Sequence, residues 1–168
     1  MEQYTEITLE EVMAFREERV RIQQTLLEAH RKPLVSFCMN IPGPVKTSAQ
    51  IRAAFDEGAR SLKSALAEKG IEVLAENERH VPAGDELVLA ADTKDASALK
   101  DLAVQIEETH PAGRLFDLDV LDESGRKLSR KTARKCMVCG EDVLSCSRSR
   151  AHSLDELAGA VDEILARR

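Results

Sequence analysis

Apolar positions in the chain alternate between two periods, and the switches between them mark the elements. Thr8-Leu9-Glu10-Glu11 carries a helix-capping pattern. Behind it Val12, Phe15, Val20, Leu26 and Leu27 recur at helical spacing, so an amphipathic helix is expected to about residue 30. Arg31-Lys32-Pro33 stops it, because the residue before a proline resists the α conformation. From Leu34 to Asn40 the period becomes two: Val35, Phe37 and Met39 take one face, and Ser36, Cys38 and Asn40 the other.

A rigid turn, Ile41-Pro42-Gly43-Pro44-Val45-Lys46-Thr47, leads into a second helix from Ser48 to Lys69. Ile51, Ala54, Phe55, Ala59, Leu62 and Leu66 form its stripe, and Gly70 ends it. Strands are expected over Ile71–Val81 and Glu86–Ala91, joined through Pro82-Ala83-Gly84-Asp85. Asp92-Thr93-Lys94-Asp95 caps a third helix carrying Leu99, Leu102, Val104 and Ile106. His110-Pro111-Ala112-Gly113 closes it and delivers a last strand, Gly113–Val120. The pattern over 34–121 is thus β-α-β-β-α-β, the split βαβ or ferredoxin-like arrangement in an α+β fold. A short returning strand is expected at Arg126–Arg130. Ser153 and Glu156 cap a closing amphipathic helix. One domain spans 1–168: an N-terminal helix (1–33), a core (34–122), and a basic Cys-rich segment with its terminal helix (123–168).

In that topology the first and last strands are antiparallel neighbours. Val35, Phe37 and Met39 then join Phe116, Leu118 and Val120 under the helices. Ser36, Cys38 and Asn40 share the opposite, open face with Asp117 and Asp119. Two carboxylates at i and i+2 on one face repel unless a cation lies between them. The pair therefore reads either as a solvated strand face or as a seat for a divalent metal carrying phosphates. Lys46, at a helix start where free N–H groups and the dipole favour anions, is a candidate phosphate partner; its alternative is a plain structural turn. Arg114 has the same two readings, clamp or surface ion pair. His110 fits a helix C-terminus satisfied by the last carbonyls.

Charge changes the picture only locally. The net charge of −6 splits into −10 over residues 1–125 and +4 over 126–168. Overall acidity argues against a general nucleic-acid binder, while the basic end suits a polyphosphate or an acidic protein. No apolar run approaches a membrane span and the start is polar, so a soluble cytoplasmic protein is expected. Cys136, Cys139, Cys146 and His152 read C-x2-C-x6-C-x5-H. This is either a Cys3His zinc knuckle with a structural role or a set of reduced cysteines. Arg148, in Ser147-Arg148-Ser149-Arg150, could bring a guanidinium to phosphate or lie in an exposed linker.

Taken together, the chain resembles the apo-citrate lyase phosphoribosyl-dephospho-CoA transferase (holo-citrate lyase synthase) family. The resemblance is carried by Pro42-Gly43-Pro44-Val45-Lys46, by His110-Pro111 with Gly113–Val120, by Leu128-Ser129-Arg130, and by Cys136, Cys139, Cys146, Arg148 and His152. It covers about residues 33–152; the link from Arg130 to Cys136 is shorter than the resemblance implies. What it implies is a nucleotidyltransferase. Such an enzyme moves 5′-phosphoribosyl-3′-dephospho-CoA from its triphosphate precursor to a serine of the citrate lyase acyl carrier (gamma) subunit and releases diphosphate. Asp117 and Asp119 would hold Mg²⁺, one of them helping to deprotonate the serine. The substrate-binding set would be Lys46, Ser48, Gly113, Arg114, Arg130 and Arg148. The basic C-terminal part would dock the carrier. The rival class is a non-enzymatic ferredoxin-like binding module with a zinc knuckle. Four Phe, one Tyr and no Trp leave little for base stacking on an open sheet, which argues against RNA.

Overall fold

The structure is a computed structural model that describes residues 4–168. The element order is α1 (Leu9–His30), β1 (Leu34–Met39), α2 (Ala49–Glu68), β2 (Val73–Val81), β3 (Gly84–Ala91), α3 (Ala96–Thr109), β4 (Phe116–Leu121), α4 (Val143–Ser149) and α5 (Leu154–Ala166). The four strands form one sheet in the order β2-β3-β1-β4, with every neighbouring pair antiparallel. Both capping boxes form: Thr8 with Glu11 at α1, and Ser153 with Glu156 at α5. The run of charges from Arg16 to Arg21 does not interrupt α1.

Alternation along the strands sorts the core. Val35, Phe37, Leu87, Leu89, Leu118 and Val120 meet α2 and α3 on one face, and Val161, Ile164 and Leu165 of α5 close the same core. Phe37 stacks on Phe55 with ring centroids 4.8 Å apart and meets the edge of Phe116 at 5.1 Å. Gly58 of α2 lets these rings come close, since a Cβ there would lie 2.6 Å from Phe37 Cζ and 2.8 Å from Phe116 Cζ.

The opposite face is not open, which corrects the expectation of a solvated sheet. Helix α1 lies across it. Ile22, Leu26 and Leu27 cover Leu34, Val88, Ala90 and Leu121. The physical reason lies in β3, all eight of whose residues are buried. A strand apolar on both faces needs a layer on each.

Other boundaries shift for local reasons. Gly113–Leu115 is a 3₁₀ turn rather than strand, so β4 begins at Phe116. Gly84 and Asp85 belong to β3, leaving only Pro82 and Ala83 as the turn. β2 starts at Val73, two residues later than expected. The returning strand at Arg126–Arg130 reduces to a single bridge between Leu121 and Lys127, with Leu128 N–H donating to Val120 O.

Candidate functional site

One end of the sheet gathers most of the expected chemistry. The β1–β4 register sets Asp117 opposite Cys38 and Asp119 opposite Ser36. All four side chains face α1, because residues two apart share a face. Cys38 Sγ lies 3.9 Å from Asp117 Oδ2. Burial, with help from the neighbouring carboxylates, pushes the Cys38 thiol up to about 12, so it stays protonated and is the donor. Burial also raises Asp117 above the usual carboxylate range, and Asp119 adds to the shift. Asp119 pairs with Lys127 Nζ at 2.8 Å. Among the described residues no cation stands within ion-pairing distance of Asp117. Lys127, Arg134 and Arg19 act on it only at longer range.

Residues that the pattern of apolar positions did not single out complete this face. Glu86, fully buried, accepts from Arg19 Nε at 2.8 Å and from Arg79 Nε at 2.7 Å. Gln23 Nε2 donates to Ser36 Oγ at 3.0 Å. On the other face at the same end, buried Asp85 accepts from Arg52 Nε at 2.7 Å and lies 2.9 Å from His80 Nδ1; its Oδ2 has no hydrogen-bond partner among the described residues. The available signal was Glu86 itself, a carboxylate heading the apolar run Leu87–Ala91. Such an acid must find buried cations.

The two loops at this end are neighbours. Met39 pairs with Phe116, and Asn40 N–H donates to Leu115 O at 2.7 Å. The Ile41–Thr47 loop is tied to the N-terminal segment by Ile7 N–H donating to Pro44 O. Lys46 is turned inward: its Nζ donates to Ile41 O at 2.6 Å, and burial lowers its pKa, with Arg16 adding to the effect. Ser48 is the α2 N-cap, accepting Ile51 N–H. A Cβ on Gly113 would lie 2.2 Å from Glu107 O, so its first role is close backbone packing. Arg114 Nε donates to Lys135 O at 2.7 Å, while its buried Nη1 has no hydrogen-bond partner among the described residues. Arg114 borders a cleft of about 440 Å³ that Asn40, Pro42, Met137 and Leu157 also line. His110 is the α3 C-cap, its backbone N–H donating to Ile106 O at 3.0 Å, while its Nδ1 accepts Ala112 N–H and its ring lies against Phe116.

Asp117, Asp119, Gly113 and Arg114 lie along one short stretch whose start is hydrogen-bonded to the loop after β1. The two carboxylates face α1 and Arg114 reaches Lys135, while Arg130 lines a second cavity together with Arg114, His110 and Arg134. Arg148 lines neither cavity. Arg130 pairs with Glu108 at 2.9 Å and Glu107 at 3.7 Å, on the outer side of β4. That edge is closed by side chains: Glu107 accepts Leu118 N–H, Lys100 donates to Leu118 O, and Arg134 donates to Phe116 O. Such groups satisfy a strand edge that would otherwise invite pairing. Arg148 sits exposed on α4.

Four ligand atoms of Cys136, Cys139, Cys146 and His152 lie within 4.8 Å of one another, a group able to hold a metal ion. All four cysteines of the chain are free thiols. Burial raises the Cys136 thiol, but hydrogen bonds from the backbone N–H groups of Cys139 and Val138 and from the Cys139 and Cys146 thiols together bring it down to about 7.

Comparison with known proteins decides the affiliation. Residues 7–168 match the family described as apo-citrate lyase phosphoribosyl-dephospho-CoA transferase. The chain belongs to that family. A relative from Vibrio cholerae serotype O1 (strain M66-2), named a probable apo-citrate lyase phosphoribosyl-dephospho-CoA transferase, is 36% identical over 162 residues, covering 94% of this chain and 91% of the relative. A Shigella boydii serotype 18 protein named an apo-citrate lyase phosphoribosyl-dephospho-CoA transferase is 33% identical over 165 residues, covering 95% and 88%. The same identity and coverage relate the chain to the protein of that name from Escherichia coli O157:H7. The transferase family runs through the N-terminal helix, the sheet and the Cys/His segment alike. No helix among the described residues is long and apolar enough to cross a membrane.

Proposed function

We propose that this chain transfers the 5′-phosphoribosyl-3′-dephospho-CoA group from its triphosphate precursor to a serine of the citrate lyase acyl carrier (gamma) subunit, releasing diphosphate. The match over residues 7–168 carries this reading. In the reaction the serine oxygen attacks the phosphorus next to the ribose. The P–O bond to the departing diphosphate breaks, and the serine proton passes to a carboxylate.

The residues at the sheet end fit these roles. Asp117 and Asp119 share one face of β4, and Asp117 is half-buried with no cation at ion-pairing distance among the described residues. A carboxylate pair in that state suits a divalent ion of the magnesium type. Bound there, Mg²⁺ would supply charge neutralisation on the triphosphate. Asp117, whose burial raises its proton affinity, is the better placed acceptor for the serine proton. Arg114, which lines the cleft and whose Nη1 has no hydrogen-bond partner among the described residues, is our candidate phosphate clamp. Ile41 O takes one of the three Lys46 Nζ donors, so we assign Lys46 to loop shape first and to substrate second. Ser48 and Gly113 serve through backbone position, at a helix start and a close packing point. Arg130 and Arg148 we move from the phosphate set to the basic C-terminal surface. That segment, +4 over residues 126–168, is the proposed dock for an acidic carrier.

The sheet order and strand directions support reading the core as ferredoxin-like, with α1 added on its second face. Three thiols and an imidazole suit zinc rather than magnesium, so the two metals would occupy different sites. We place the reaction in the cytoplasm, on a carrier protein and not on nucleic acid or membrane. The test is incubation of purified chain with apo-carrier, precursor and Mg²⁺, read by the mass gained by the carrier. A carrier of unchanged mass would sink the proposal.

A further inference from the structure

We propose that Cys136, Cys139, Cys146 and His152 hold a resident zinc ion that fastens the C-terminal segment to the strand bearing Asp117 and Asp119. The inference stands on geometry and is independent of the transferase reading.

The ligand atoms are already gathered. With zinc–sulfur bonds of about 2.3 Å, tetrahedral thiolates lie roughly 3.8 Å apart. Here the four ligand atoms fall within 4.8 Å of one another, and Cys139 Sγ is 3.4 Å from Cys146 Sγ. Local backbone geometry produces this. Gly140, at φ +75°, donates its N–H to Cys136 O at 3.0 Å, closing a turn that returns Cys139 to Cys136. Val138 N–H donates to Cys136 Sγ at 3.5 Å. Ala151 N–H donates to Cys146 O, which brings the chain back for His152.

His152 supplies the second observation. Its Nε2 is buried and has no hydrogen-bond partner among the described residues. A buried polar atom left unpaired is costly, and a metal bond would satisfy it. The segment's poverty in apolar burial is the third. Between residues 131 and 153 only Cys136 is buried, and α4 buries nothing. So little apolar contact does not hold a stretch of that length in one shape, whereas a metal cross-link does. Three thiolates and an imidazole select zinc among common ions. Four protein ligands leave no open position, so the role is structural.

Two arginines connect the cluster to the aspartate strand. Arg134 donates to Phe116 O at 2.8 Å and to Gly113 O and Arg114 O at 3.1 Å. Arg114 in turn donates to Lys135 O. Arg134 and Lys135 directly precede Cys136, and Arg134 O accepts Val143 N–H from within the knuckle. An intact centre therefore holds the 3₁₀ turn from which β4 starts.

The test uses the full chain purified under reducing conditions with no metal added. Zinc is measured by mass spectrometry, and amide hydrogen exchange is followed on the wild type, on Cys139→Ser, on His152→Ala and on wild type stripped by chelator. The expected result is one zinc per chain, lost in both variants. Protection should fall over residues 131–153 and at Gly113–Phe116, while the 34–91 strands keep theirs. A reduced wild type that neither carries nor takes up zinc overturns the site, as does a Cys139–Cys146 disulfide in its place. Zinc removal that leaves Gly113–Phe116 protection unchanged overturns the fastening role. If a variant fails to fold, the chelated wild type decides.

Discussion

Cys38 and Asp117 face each other across β1 and β4, and the thiol, held protonated by burial, points its hydrogen at a carboxylate that burial has made reluctant to ionise. The ionised Asp117 is thus a strain on the apo fold. Its folded pKa lies above the unfolded value, so between the two the folded chain binds more protons and stability falls as pH rises. Above the folded value the penalty stays constant. Asp117→Asn, which cannot ionise, should therefore melt higher than wild type at pH 7. The gap should narrow as pH drops through the raised folded value and vanish below the ordinary carboxylate range. Thermal melts of both proteins across pH check this; an advantage that grows in acid would contradict it.

Mg²⁺ should reverse that strain. A ligand that binds only the folded state adds about 2.7 kcal/mol at one hundred times its Kd. The melting temperature of wild type should rise on titration with Mg²⁺, while Asp117→Asn and Asp119→Asn should respond weakly or not at all. Equal responses in all three would place the ion elsewhere.

Glu86 is fully buried between Arg19 and Arg79. Removing one partner of a buried charge group leaves the others uncompensated and costs about 3–5 kcal/mol. Glu86→Ala should lose stability on that scale in denaturant titration. Loss of the acid also loosens the hold of α1, because Arg19 belongs to that helix and Arg79 donates to Phe15 O.

Gly58 tests the packing under β1 and β4. Alanine gains about 1 kcal/mol of helix propensity over glycine. At this position its Cβ would strike Phe37 and Phe116, whose rings are held by mutual contact and by Phe55. Overpacking costs about 1–3 kcal/mol. Gly58→Ala should be destabilised, against its propensity, in equilibrium unfolding.

Strand and helix assignments in the core were readable because each rests on local alternation: Val35/Phe37 against Ser36/Cys38, or the α2 stripe from Ile51 to Leu66; the short α4, which buries nothing, was not. The placement of α1 was not, although Glu86–Ala91, apolar at nearly every position, implies cover on both faces. The aspartate pair and the Cys3His spacing were legible as types of chemistry. The partners of Arg130, Arg134 and Lys100 were not, since they depend on which backbone groups an edge strand leaves unpaired. Lys46 was legible as a lysine at a helix start, but not that a loop carbonyl takes one of its N–H donors.

The central claim is that Asp117 and Asp119 form the transfer site. Its most direct test is the mass of the acyl carrier after incubation with precursor, Mg²⁺ and each protein. Wild type should add the phosphoribosyl-dephospho-CoA group. Asp117→Asn and Asp119→Asn, folded by circular dichroism, should each slow the addition by about 10²–10⁴-fold. Transfer at the wild-type rate by both variants would contradict the account.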